Sequence, residues 1–236
     1  MHKGVVLIGV GEMGGVFARG FLKSGCAVFP ATRQTDLAQV QNSISDPQAV
    51  VVAVAEKDYD SCMKAIPKSW QNRLVFLQNE LLPQDWQRHH VSNPTVISVW
   101  FEKKYPQDYK VIIPSPVFGS KAQLLAQALG SLNIPTRILK TQEELLIELV
   151  VKNLYILTIN IAGLKVGGTV EELWKKNQPL ARQVAEDVLN IQFSLIGKKI
   201  DRELLIQKMV EAFAGDWQHK CMGRTAKERL TRAWRR

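Results

Sequence analysis

The sequence predicts an α/β chain: an N-terminal doubly wound parallel sheet followed by a smaller all-helical C-terminal domain. Three observations predict it. Short apolar runs recur along the first part of the chain, with stretches of helical character between them. Glycines close the first of these runs and open the stretch that follows. From Thr141 onward the strand pattern stops and helical pattern alone continues.

The first run, Val5, Val6, Leu7 and Ile8 continuing to Val10, is uninterrupted and ends at glycines, the pattern of a parallel strand covered on both faces. Residues 12–24 then read as a helix closed by Gly25 as a C-terminal cap, and Ala27, Val28 and Phe29 supply a second strand. Strand, glycine turn, helix and strand make a βαβ unit. Residues 48–55 are another buried strand, residues 59–66 a helix and residues 74–77 the next strand. This alternation implies a doubly wound parallel sheet. Residues 96–100 and 111–113, separated by the polar segment 103–107, are expected as later strands of the same sheet. Pro114, Ser115 and Pro116 are expected as a turn, residues 121–132 as a helix and residues 136–139 as a last short strand. Helices follow near residues 143–164, 170–175, 179–196, 201–214 and 226–234, which puts a domain boundary near Lys140, with domains 1–140 and 141–236.

Composition fits a soluble globular chain: 46% hydrophobic, 22% charged, with no low-complexity tract. The start, Met1, His2, Lys3 and Gly4, leads into an apolar run too short for a signal-peptide core. A membrane span needs about 20 apolar residues. The nearest candidate, residues 145–164, carries Glu148, Lys152, Asn153 and Asn160 and reads as a buried helix, so no membrane association is expected. Cys26, Cys62 and Cys221 lie far apart, without the close pairs of a zinc or redox motif; free thiols, a cytoplasmic location and no metal are expected. The net charge of +9 suits a phosphate-bearing cofactor, an anionic substrate or nucleic acid.

Gly9, Val10, Gly11, Glu12, Met13 and Gly14 form a GxGxxG turn between a buried strand and a helix. In a dinucleotide fold of the Rossmann type the first glycine permits the tight turn, the second lets the backbone approach a pyrophosphate, and the third lets helix and strand pack closely. N–H groups at the helix start then face the anion, which the helix dipole favours. The alternative is that these glycines serve only a tight turn. After the second strand come Thr32 and Arg33, where an acidic residue would hold ribose hydroxyls and a basic one suits a 2′-phosphate. The guanidinium fork matches phosphate geometry, which favours NADP(H) over NAD(H). The alternative is a solvated surface arginine.

Glu148, Lys152, Ile156 and Asn160 fall along one face of an otherwise apolar helix. A lysine beside apolar surface and near a cofactor can protonate a carbonyl oxygen as hydride arrives, with Asn160 orienting that carbonyl. The competing reading is a solvent-facing stripe. At the C-terminus, Lys220, Arg224, Lys227, Arg229, Arg232, Arg235 and Arg236 carry much of the positive charge. On a helix there, Leu230 with Ala233 or Trp234 would dock while the arginines face water. The functional alternative is that Arg224 and its neighbours draw in a carboxylate. No nucleic-acid motif accompanies this charge.

The glycine loop, Arg33, the Leu77, Gln78, Asn79 strand end and the helical stretch 152–173 together resemble the ketopantoate reductases, NADPH-dependent enzymes with an N-terminal Rossmann domain and a helical C-terminal domain. The resemblance covers most of the chain. It implies Asn79 as a cofactor residue and Lys152 as the general acid of a Lys-xxx-Asn-xxx-Asn helix, in which Asn160 matches and Ile156 replaces the middle asparagine. Ala55 stands where a lysine is common, and Glu80 where a glycine usually follows the asparagine. The late substrate-binding serine has no counterpart in residues 223–228, where Glu228 is a stand-in for the glutamate. The implied function is reduction of a small 2-oxo acid by NADPH. The alternative is a catalytically silent NADP(H)-binding sensor or interaction protein. A shortened helical domain also leads to the expectation of a homodimer.

Overall fold

In a computed structural model, residues 4–103 and 106–235 are described. Met1 to Lys3, the middle of the polar segment 103–107, and Arg236 lie outside them. The chain divides into two compact units, residues 1–79 with 85–145, and residues 80–84 with 146–236.

Unit 1 begins with β1 (Gly4–Ile8), whose five residues are all buried. Helix α1 (Glu12–Lys23) follows the glycine turn, and β2 (Ala27–Ala31) returns parallel to β1, with Ile8 level with Ala31. The succession continues through α2 (Leu37–Ser43), capped by the Asp36 carboxylate, β3 (Ala49–Val52), α3 (Tyr59–Ala65), β4 (Leu74–Phe76), α4 (Pro83–Gln87) and β5 (Thr95–Ile97). Then come β6 (Phe101–Glu102), β7 (Lys110–Val111), β8 (Ser115–Phe118), α5 (Ala122–Gly130) and β9 (Thr136–Ile138). Among the described residues one seven-stranded sheet has the order β2-β1-β3-β4-β5-β8-β9, parallel except at β5–β8. β1 and β3 carry only apolar residues besides Gly4 because both faces are covered; Val5, Val6, Leu7, Val50, Val51 and Val52 are completely buried. Each contributes roughly 1.5–3 kcal/mol by leaving water.

Two sequence expectations fail at the far side of the sheet. Val111 does not join the main sheet: β7 pairs with β6 in a separate two-stranded ribbon. Pro114, Ser115 and Pro116 do not make a turn, because Ser115 and Pro116 lie within β8, beside β9 and antiparallel to β5. A proline is tolerated there because the ladder uses its carbonyl, which accepts the Ser98 N–H at 2.9 Å.

Unit 2 joins α4 residues 83–84 and the preceding turn to α6 (Gln142–Val166) from Leu146 onward, α7 (Val170–Lys176), α8 (Gln178–Ile196), α9 (Arg202–Ala214) and α10 (Ala226–Trp234). Every residue of α6 from 148 to 160 is buried. A helix buried on every side belongs at the centre of its unit. α6 is long and apolar enough to cross a membrane, with mean hydropathy 1.7, yet 78% of that window is buried within the protein. A Thr169–Glu172 capping box starts α7, and Asp201 caps α9. Tyr155 and Trp174 both pack on the ring of Phe213, at 5.4 and 5.7 Å between centroids.

Candidate functional site

The sheet of unit 1 reverses its winding between β1 and β3, and in open α/β sheets ligands bind outside the carboxyl ends of the strands at that point. Gly9 leaves β1 there with φ +95°, and a Cβ on it would meet the Ala53 carbonyl oxygen at 2.5 Å. A Cβ on Gly14 would lie 2.0 Å from the Gly9 oxygen, so only glycine lets α1 start this close to the turn. Gly11 is different: nothing lies within 4 Å of the space its Cβ would fill. That opening lies at the N-cap of α1, where no side chain caps the helix. The backbone N–H groups at Glu12 and Met13 thus begin a helix whose positive end faces an open approach, a fit for a pyrophosphate.

The neighbouring strands complete this edge. Gly9 N–H donates to the Ala31 oxygen at 2.9 Å, which brings Thr32 level with the glycine turn. Thr32 and Thr35 close a tight turn, with Thr32 N–H donating to Thr35 Oγ1 at 2.9 Å. Arg33 extends from it with its side chain 80% exposed, its Nη2 paired to Asp58 at 2.7 Å. It is therefore a surface arginine, but one steered by a carboxylate. At the end of β4, Gln78 Nε2 donates to the Val52 carbonyl at 2.5 Å, which ties β4 to the end of β3, and Asn79 stands half-buried beside it.

In unit 2 the polar face of α6 is not a solvated stripe: Glu148, Lys152, Ile156 and Asn160 are 7%, 8%, 7% and 6% exposed. Lys208 lies 3.5 Å from Glu148, and the Lys152 ammonium lies 5.8 Å from the centre of the Tyr155 ring. Asn160 accepts the Gly223 N–H at 2.8 Å and donates to the Ile156 carbonyl at 2.8 Å, stitching residue 223 to α6. Helix α10 docks through Ala233 as expected, but Leu230 does not turn inward and Arg229 does not face water. Its buried residues are Ala226, Arg229 and Ala233, whereas Leu230 is 40% and Trp234 87% exposed. The inward face is chosen by charge pairing, since Arg229 and Arg232 both bind the Glu80 carboxylate. Glu228 and Arg224 are exposed. Among the described residues no cluster of three or more metal-ligating side chains occurs.

No protein-family model matches the chain, and no curated protein matches it by sequence. Solved structures do. A 2-dehydropantoate 2-reductase from Methylococcus capsulatus superposes with a TM-score of 0.67 at 10% identity, over 98% of this chain and 89% of that one. A dimeric ketopantoate reductase from Staphylococcus aureus gives 0.62 at 13% identity, over 97% and 85%. The chain has the 2-dehydropantoate 2-reductase fold. D-mandelate dehydrogenase in complex with NADH also superposes on the chain, with a TM-score of 0.61 at 13% identity over 89% of this chain and 79% of that one.

In this chain the glycine turn, Thr32, Arg33 and Asn79 all lie along the carboxyl edge of the unit 1 sheet, while Lys152, Asn160 and Glu228 belong to unit 2. Sequence reasoning missed Glu80, a carboxylate 3% exposed and paired to two arginines. One signal for it existed. Glu80 stands where the ketopantoate reductases usually have glycine, and its φ is +61°, the backbone region glycine favours.

Proposed function

We propose that the chain binds NADP(H) at the carboxyl edge of the unit 1 sheet and reduces a small 2-oxo acid. The observation that carries this reading is the Gly9–Gly14 turn: two glycines are forced by close packing, while Gly11 alone faces open space at an uncapped helix start. That pattern serves an anion approaching the backbone, and a turn built only for tightness would not need Gly11. Arg33 favours the 2′-phosphate form, because only one nitrogen of its fork is paired to Asp58 in the structure and the side chain is accessible.

The dinucleotide, when bound, supplies the hydride. The chain supplies the rest: the backbone of residues 11–14 holds the pyrophosphate, Asn79 orients the far half, and Lys152 Nζ gives a proton to the oxygen of the reduced carbonyl. A buried ammonium is suited to that task, since low exposure strengthens its interaction with a developing alkoxide. Asn160 acts as a positioning residue, given the two bonds its amide already makes. The reading includes a homodimer, supported by the exposed Leu230 and Trp234 and by the dimeric S. aureus reductase.

A second reading, a catalytically silent NADP(H)-binding protein, is favoured by Ile156 in place of an amide and by the exposure of Glu228. One experiment separates the two. Titration with NADPH and NADH, beside Arg33→Ala, is followed by a panel of 2-oxo acids with NADPH absorbance as readout. Preferential NADPH binding lost in Arg33→Ala, and turnover of one acid lost in Lys152→Ala, is the expected result. Binding without turnover selects the silent protein, and binding of neither nucleotide overturns both.

A further inference from the structure

Glu80 adopts a conformation that its residue type resists. Its φ of +61° lies in the left-handed region, where a side chain costs roughly 1–2 kcal/mol relative to the right-handed alternative. Its carboxylate is also withdrawn from water, which is costly unless the charge is paired. Both costs are offset inside unit 2. Arg229 Nη1 donates to Oε1 of Glu80, Arg232 Nη2 donates to the same oxygen at 2.7 Å, and Arg232 Nε lies 3.4 Å from Oε2. The remaining buried residues of α10 are two alanines, and Arg229 and Arg232 tie the helix to the Glu80 carboxylate.

Glu80 directly follows Asn79. The peptide group that follows Asn79 at the end of β4 is therefore held from its far side, by the tethered left-handed turn at Glu80. In the sheet, β4 stands three strands from β2, or about 14 Å at roughly 4.8 Å per strand. A nucleotide anchored by its phosphates at Arg33 and Gly11 would reach Asn79 by extending its other half across β3 toward β4. We propose that Glu80, held by Arg229 and Arg232, is a positioning residue for the nicotinamide half of the cofactor: it fixes the turn that presents Asn79. This rests on the NADP(H) reading above.

The test compares two ligands on the full chain by calorimetry: NADPH, and adenosine 2′,5′-bisphosphate, which has the phosphate half without the nicotinamide. The variants are Glu80→Gly, Glu80→Gln and Arg232→Lys. Glycine accepts the left-handed turn without strain, so that variant removes the tether and keeps the backbone conformation accessible. The expected result is about tenfold weaker NADPH binding, equivalent to about 1.4 kcal/mol, with affinity for the bisphosphate unchanged. A merely structural role would not alter the ratio of the two affinities. Equal weakening of both ligands, or no change in either, overturns the proposal. If Glu80→Gly does not fold, the two side-chain-preserving variants decide by the same ratio. Wild-type protein that binds neither ligand overturns the NADP(H) reading itself, an outcome distinct from a variant that leaves the ratio unchanged.

Discussion

At Gly14 an added methyl group would sit 2.0 Å from the Gly9 carbonyl oxygen, closer than any relaxed contact, while at Gly11 it would meet nothing within 4 Å. The two alanine variants should therefore part company. Gly14→Ala forces backbone to move and should cost on the order of 2–3 kcal/mol, lowering the thermal midpoint by roughly 5–10 °C. Gly11→Ala should leave the midpoint within a degree or so of wild type and weaken NADPH binding. Calorimetry and thermal melts on the two proteins check this, and a stable Gly11→Ala with unchanged NADPH affinity would sink the assignment of the turn. The thiols give a second expectation at this scale. Burial first, then the Asp58 carboxylate, pushes the Cys62 thiol up to about 11; burial and then Glu172 push Cys221 up to about 11. The fold thus favours the neutral thiols. Their contribution is fully present below the ordinary thiol value near 9 and is lost as pH rises from there through 11. Thermal midpoints should fall between pH 9 and 11, and less steeply in Cys62→Ala/Cys221→Ala.

Helix α6 was legible as a buried element, but the environment of its polar face was not. Its polar residues repeat at helical spacing, a pattern that fits a wet stripe and a buried polar seam equally well. The structure makes it a seam, with residues 148–160 all buried. Asn160 is its clearest member, because its amide both accepts from Gly223 and donates to Ile156. Asn160→Ala should destabilise unit 2 by about 1–3 kcal/mol, since the Gly223 N–H loses its acceptor. Denaturant unfolding measures this, and a loss below a few tenths of a kcal/mol would show that water replaces the amide. Helix α10 shows the same limit of pattern reading. Its apolar residues Leu230 and Trp234 point outward, because two arginines find a buried carboxylate contributed by a turn far away in sequence.

For the molecule as a whole, a ligand that binds only the folded state raises stability by mass action. NADPH at a hundredfold excess over its dissociation constant should add about 2.7 kcal/mol, a shift of roughly 5–10 °C in the melting of the unit that binds it. NADH at the same concentration should shift it less, through the missing contact at Arg33. Raising salt should shrink the difference, because both the +9 net charge and the exposed Arg33 are screened. Equal shifts from the two nucleotides at every salt concentration would remove the argument for the 2′-phosphate.

Local pattern determined what local physics can determine. The apolar runs at Val5 and Val50, the glycine turn and the helices near residues 170–175 and 201–214 each follow from neighbours within one or two turns of chain, and the structure places strands and helices there. Only the tertiary structure decided the rest. Whether Pro116 lies in a strand depends on which groups β5 and β9 offer it, and whether Val111 joins the sheet depends on its pairing with Phe101. Whether Lys152 is wet, and which face of α10 turns inward, depend on burial and on Glu80. Those outcomes are set by contacts between residues distant in the chain, whose energies leave no periodicity in the sequence around them.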